Sequence, residues 1–153
     1  MNGHPPATAG QSGHHYPVRV YFEDTDAGGV VYHANYLRYA ERGRTEALRA
    51  AGMPHATLME RHGLMFVVRR VEVEYLRPAR LDDLLDIVTE TRAVRGASVV
   101  LRQTVRHPDR GVLAALAVRL ACVGVSDGRA ARLPDDWREA LERMVPAVTA
   151  TDD

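Results

Sequence analysis

One long amphipathic stretch followed by four apolar, alternating stretches joined by tight turns limits what this chain can fold into. From about His33 to Ala51, apolar or small residues recur at three- and four-residue spacing: Tyr36, Tyr39, Ala40, Gly43, Ala47, Leu48 and Ala51. Arg38, Glu41, Arg42 and Arg49 lie largely on the other face, which predicts a helix with one buried side. Gly52 is placed to cap its C-terminus and Pro54 stops continuation, with a short second helix expected over about Pro54 to Arg61. Ahead of the long helix, Val18, Val20 and Phe22 alternate with Arg19 and Tyr21 as a half-buried strand.

After the helices come strands. Leu64, Phe66 and Val68 share one parity, and Val71, Val73 and Tyr75 share the other. The switch near Arg69-Arg70 predicts a β-bulge. Leu85, Ile87 and Thr89 open a further strand running to about Val94, and Gly96 turns it into Ala97, Val99, Leu101, Gln103 and Val105. After a turn at His107 to Gly111, the segment Val112 to Val125 is apolar on both parities, as expected of a strand buried on both faces. Pro134 to Met144 reads as a short amphipathic helix with Trp137 and Leu141 near one side.

Long strands with short connections imply an antiparallel sheet, so the expected class is α+β, with about five strands and one long helix over one face. The other face is expected to be partly apolar and to need a cover, which points to self-association. A length of 153 residues suits one domain. Residues 17–145 are expected to form it, between an N-terminal tail at 1–16, which holds His4, His14 and His15, and a C-terminal tail at 146–153. The N-terminal tail has no apolar core of the kind a secretory signal carries.

Composition removes several function classes. The net charge is zero, which gives no electrostatic case for nucleic-acid or membrane-surface binding. No apolar run approaches the roughly 20 residues that span a bilayer, so no membrane insertion is expected. Cys122 is the single cysteine, so no intrachain disulfide forms, and a reducing cytoplasm is the expected location. All 20 basic residues are arginine. Lysine Schiff bases, pyridoxal phosphate and the P-loop are therefore excluded, and phosphate recognition falls to arginine or backbone N–H groups. His55, His62 and His107 are scattered without metal-ligand spacing, and no cofactor or metal is expected.

The stretch Tyr21 to Tyr36, YFEDTDAGGVVYHANY, carries the candidate chemistry. Asp26 stands in a tight loop. Gly28 and Gly29 let backbone approach a ligand closely, and a helix begins near His33, whose N–H end favours developing negative charge. That combination suits acyl transfer, with Asp26 as nucleophile or general base and the His33 N–H polarising a carbonyl. The plainer reading is that Asp and Gly before a helix are common turn and cap residues. Tyr32, Tyr36 and Tyr39 are candidates for an acyl pocket, against core packing as the simpler role. Glu41 and Glu46 have helix arginines within i, i+3 or i, i+4 reach and read as a solvated face. Arg69, Arg70, Arg77 and Arg80 are candidate phosphate contacts.

The stretch VRVYFEDTDAGGVVYHANYLRYAERGRTEALR closely resembles the YbgC-like thioesterases, a hotdog-fold family encoded with the Tol-Pal system, and more distantly is similar to 4-hydroxybenzoyl-CoA thioesterases. Further matches lie at FVVRRVEVEYLRPARLDDLLDI and VRGASVVLRQ, so the likeness covers about Pro17 to Val125. The resemblance implies a hotdog fold and hydrolysis of acyl-CoA, with coenzyme A as part of the substrate. It places the family's catalytic aspartate on Asp26 rather than Asp24, and the carbonyl-polarising N–H on His33. Gly28, Gly29 and Tyr32, beside them in the sequence, are the candidate substrate contacts from the reading of the residues. It also implies a homodimer or homotetramer with active sites at subunit interfaces, and acyl carrier protein as a further partner. Two rival readings are a hotdog dehydratase using His33 with Glu46, and a non-catalytic acyl-binding protein linked to the cell envelope.

Overall fold

The computed structural model describes residues 13–146. Strand β1 (His14–Arg19) leads through a single 3-10 turn (Phe22–Asp24) and a loop into α1 (Asn35–Ala50), α2 (His55–His62), β2 (Leu64–Tyr75), β3 (Leu84–Val94), β4 (Ser98–His107), β5 (Gly111–Gly124) and α3 (Asp135–Arg143). The five strands form one sheet in the order β1-β3-β4-β5-β2, antiparallel at every step. The helix α1 lies on one face, giving the wrapped-helix α+β arrangement expected from the sequence.

The face that α1 buries follows its periodicity. Tyr36, Tyr39, Ala40, Gly43, Ala47 and Leu48 are buried, while Ala51 is exposed past the helix end. Gly43 sets the closeness of helix to sheet, because a Cβ there would stand 2.5 Å from Ile87 Cγ2. At this close approach the buried Gln103 of β4 donates from Nε2 to the Ala40 carbonyl and to Thr89 Oγ1, both at 2.8 Å. That explains a polar residue in an otherwise apolar strand row. The short helix α3 closes one end with Trp137 and Leu141 buried, the indole ring 6.3 Å from that of Phe66.

Three expectations need correction. The first strand begins at His14 and ends at Arg19, so His14, His15 and Tyr16 pair with β3 rather than belonging to a tail. Residues 1–12 and 147–153, the rest of the two expected tails, lie outside the described residues. Phe22 is 81% exposed in the 3-10 turn, because the chain leaves the ladder after Val20. Strand β5 is also not buried evenly: Ala117 and Arg119 are exposed while Leu116, Val118 and Leu120 face the core. Its small and long polar residues occupy the face away from α1, where register aligns Glu72, Ala117, Arg102 and Glu90 across four strands. That face is partly apolar, as expected, with Val100, Ala115 and Ala117 set among the charged side chains. The expected bulge is present, with the β2–β5 register shifting between Val68 and Arg70.

Candidate functional site

The loop between the 3-10 turn and α1 is closed at its neck by backbone pairing. Thr25 and Val31 form an antiparallel bridge, and the Tyr32 N–H donates to the Asp24 carbonyl at 2.9 Å. Beyond the neck, the Asp26 N–H donates to the Val30 carbonyl at 2.9 Å and the Gly29 N–H to the Asp26 carbonyl at 3.0 Å. Gly29 has φ +79, which a side chain would strain. The loop is braced from outside: the Val31 N–H donates to the Ala79 carbonyl at 2.8 Å, and Val30 bridges Arg80.

The two aspartates of the motif do different things. Asp24 is buried and both its oxygens are occupied: Oδ2 accepts the Tyr21 N–H and Oδ1 accepts Asn35 Nδ2, each at 2.8 Å. It ties the 3-10 turn to the first residue of α1. Asp26 is exposed, and only Oδ1 is engaged, accepting the Gly28 N–H at 2.8 Å in an Asx turn. Among the described residues nothing donates to its second oxygen. A Cβ at position 28 would sit 3.3 Å from Asp26 Oδ1, so glycine keeps this turn uncrowded.

The helix starts at Asn35, later than the periodicity suggested, because the Asn35 N–H closes a turn onto the Tyr32 carbonyl at 2.8 Å. His33 therefore sits in the turn leading into α1. The helix has no side-chain cap and no acidic residue in its first turn, so its positive end is not neutralised by its own sequence. His33 is exposed; its carbonyl accepts the Tyr75 hydroxyl at 2.9 Å, and its ring stacks tilted on Tyr32 at 4.5 Å and edge-on to Tyr75 at 6.4 Å. Tyr36 packs against Tyr75 at 5.3 Å, and its hydroxyl accepts the Ala79 N–H at 2.9 Å. Burial pushes the Tyr36 phenol up, opposed by that hydrogen bond; burial and the neighbouring Asp24 carboxylate push Tyr39 up.

All five candidate residues, Asp26, Gly28, Gly29, Tyr32 and His33, thus lie on one loop with an exposed carboxylate at its tip and an uncapped helix end at its exit. Tyr36 and Tyr39 are buried, which makes them packing residues. Glu46 is ion-paired with Arg49 on α1. Cys122 is buried, which raises its thiol and leaves it inert. Among the candidate arginines, Arg70 pairs with Glu72 at 2.6 Å, and Arg77 donates to the Arg110 carbonyl at 3.1 Å. The parts of Asn35, Tyr75 and Ala79 carried no sequence signal, because their partners are 11 to 43 residues away. Among the described residues no group of three or more His, Cys, Asp or Glu could hold a metal ion. No helix among them is long and apolar enough to cross a membrane.

Comparison with known proteins identifies the family. Residues 20–141 match the family model of the thioesterase-like superfamily. The chain is 41% identical over 133 residues to the acyl-CoA thioesterase YbgC of Haemophilus influenzae, an alignment spanning 87% of this chain and 97% of that one. It is 49% identical over 108 residues to the acyl-CoA thioester hydrolase YbgC of Escherichia coli O157:H7, spanning 71% and 80%. The crystal structure of a probable thioesterase from Bartonella henselae superposes with a TM-score of 0.74 at 40% identity, covering 79% of this chain and 98% of that one. By sequence and by fold, the chain belongs to the thioesterase-like superfamily, as a hotdog-fold, YbgC-like thioesterase.

Proposed function

We propose that the chain hydrolyses acyl-CoA thioesters to free acid and CoA, with the Asp26 carboxylate as the reacting base or nucleophile. The observation that carries this reading is the division between the two aspartates. Asp24 has both oxygens occupied in the interior, whereas Asp26 holds one oxygen in an Asx turn and presents the other to solvent.

A thioester carbonyl facing the uncapped end of α1 would be polarised by the helix end and by the His33 N–H. Attack by Asp26 on the carbonyl carbon breaks the carbon–sulfur bond, releases CoA as thiolate and leaves a mixed anhydride that water then hydrolyses. Alternatively Asp26 takes a proton from water as the water attacks, and the departing thiolate collects it. In both routes the tetrahedral oxyanion forms against the same N–H groups. A donor of that kind is worth roughly 3–4 kcal/mol of barrier. Neither route draws on a cofactor. Tyr32 and Gly28 are the proposed substrate contacts, and Gly29 holds the loop's turn. The proposed setting is a cytoplasmic homodimer or homotetramer with interfacial sites, acting on acyl-CoA or on acyl carrier protein thioesters.

The dehydratase reading fits less well. Glu46 lies roughly 17 Å along α1 from its first residue, Asn35, at about 1.5 Å per residue, and is ion-paired with Arg49, so His33 and Glu46 do not form a catalytic pair within one chain. Offering the purified protein a panel of acyl-CoAs, with free thiol and enoyl product both followed, separates the readings. Thiol release supports hydrolysis. Enoyl-CoA formation from a β-hydroxyacyl-CoA without thiol release supports dehydration, and binding without turnover supports an acyl-binding protein.

A further inference from the structure

The peptide that braces the candidate loop is itself held from behind. Val31, at the neck of the loop, donates its N–H to the Ala79 carbonyl at 2.8 Å. The N–H at the other end of that peptide unit belongs to Arg80, and it donates to Asp83 Oδ2 at 2.8 Å. One peptide plane thus carries the brace on one side and Asp83 on the other, and the two hydrogen bonds strengthen each other. The same Asp83 oxygen accepts the Arg110 guanidinium, and Asp83 Oδ1 faces His107 Nε2 at 3.6 Å. His107 Nδ1 accepts the Asp109 N–H at 3.1 Å and the Arg110 N–H at 3.3 Å, which leaves the ring proton on Nε2, toward Asp83. The Asp83 side chain is only 16% exposed, so it is not an ordinary solvated carboxylate. Asp82, just before it, has φ +70, and among the described residues no other non-glycine has a positive φ. Arg19 Nη1 pins the Asp82 carbonyl at 2.7 Å. Backbone in that region persists where the surroundings over-determine it, and such strain gathers at working sites.

We propose that Asp83, held by Arg110, is a positioning residue for the hydrolysis: it fixes the Ala79–Arg80 peptide, and through that peptide the loop that carries Asp26. The relay onward is short. Val30 bridges Arg80, and the Val30 carbonyl accepts the Asp26 N–H at 2.9 Å. Asp83 touches no substrate. The inference rests on Asp26 as the reacting carboxylate and names the groups that hold it in place. A structural role alone would reduce the folded fraction. Positioning lowers the rate constant of the folded enzyme and acts only through Asp26.

The test measures thiol release for Asp83→Ala in the wild-type and Asp26→Asn backgrounds, using the acyl-CoA that the wild type turns over fastest. Exchange of the Val31 amide is followed on the same proteins by nuclear magnetic resonance. Asp83→Ala, folded by circular dichroism, loses about tenfold or more in kcat with little change in KM. Asp83→Asn keeps a neutral acceptor for the Arg80 N–H and recovers part of that loss. In the Asp26→Asn background the same Asp83→Ala change leaves the residual rate unaltered, because no carboxylate remains to be positioned. The Val31 amide exchanges faster in Asp83→Ala, relative to amides of the β2–β5 ladder that report global opening. Asp86→Asn, which removes the β3 carboxylate paired with His15 at 2.6 Å, changes none of these. Where Asp83→Ala does not fold, Asp83→Asn and Arg110→Gln carry the same comparison. An equal fold loss in both backgrounds, an unchanged kcat, or Val31 exchange no faster than that of the ladder overturns the proposal. Wild-type turnover in Asp26→Asn alone would instead sink the Asp26 reading, and the Val31 exchange, which needs no turnover, still decides the brace.

Discussion

The hydroxyl of Tyr36, buried on α1, accepts the Ala79 N–H at 2.9 Å, and the carbonyl of the same Ala79 accepts the Val31 N–H at 2.8 Å. Helix, Arg77–Asp83 segment and candidate loop are therefore tied through one residue. Tyr36→Phe leaves a buried N–H without an acceptor, at a cost of about 1–3 kcal/mol. It also loosens the strut behind Asp26. Chemical denaturation reads the first effect. A fall in kcat larger than the change in KM reads the second.

Gly43→Ala tests the helix-to-sheet distance. Alanine favours a helix over glycine by up to about 1 kcal/mol. The added methyl would fall 2.5 Å from Ile87 Cγ2 in a packed core. Overpacking of that kind costs about 1–3 kcal/mol, so the variant is expected to be less stable than wild type in urea melts despite its better helix propensity.

The long-range organisation was legible because it rests on periodicity. The buried stripe of α1, the antiparallel order of long strands and the bulge at Arg69–Arg70 all follow from which residues are apolar. The helix start was not legible, because the Asn35 N–H is taken by a turn onto Tyr32 and its side chain by Asp24. Neither contact leaves a mark in the apolar pattern. Strand β5 misled for a related reason: alanine counts as apolar wherever it falls, so Ala115 and Ala117 hid the alternation that Arg119 continues. Within the candidate loop, the motif singled out Asp26, but the separate duty of Asp24 required the tertiary contact to Asn35.

Asp83 links pH to stability. Burial raises its carboxyl, but the Arg80 N–H, the hydrogen-bonded Arg110 guanidinium and the charge of His107 outweigh burial and hold it below its ordinary value. A depressed folded value means the unfolded chain takes up the proton first as pH falls. The stability from this cluster is thus complete above about pH 4, the usual aspartate range, and is lost as pH drops through the lower folded value. Asp83→Asn is expected to flatten that acid limb in denaturation curves collected between about pH 2 and 6. An unchanged limb would place the acid sensitivity elsewhere.

Tyr75 and His33 separate backbone from imidazole. The Tyr75 hydroxyl holds the His33 carbonyl at 2.9 Å, so Tyr75→Phe frees the turn and is expected to lower kcat more than it alters KM. His33→Ala keeps the backbone N–H and is expected to retain partial activity. Complete loss in His33→Ala, with folding intact by circular dichroism, would move the role to the ring.

The most direct measurement compares Asp24→Asn with Asp26→Asn, recording melting temperature and thiol release from acyl-CoA on the same preparations. Asp26→Asn is expected to melt close to wild type, because its side chain is exposed, and to lose about 10²-fold or more in turnover. Asp24→Asn sets an amide donor against the Tyr21 N–H or Asn35 Nδ2 and is expected to lose about 1–3 kcal/mol of stability while keeping more activity per folded molecule. An Asp26→Asn protein that releases thiol at the wild-type rate would contradict the assignment of Asp26 as the reacting carboxylate.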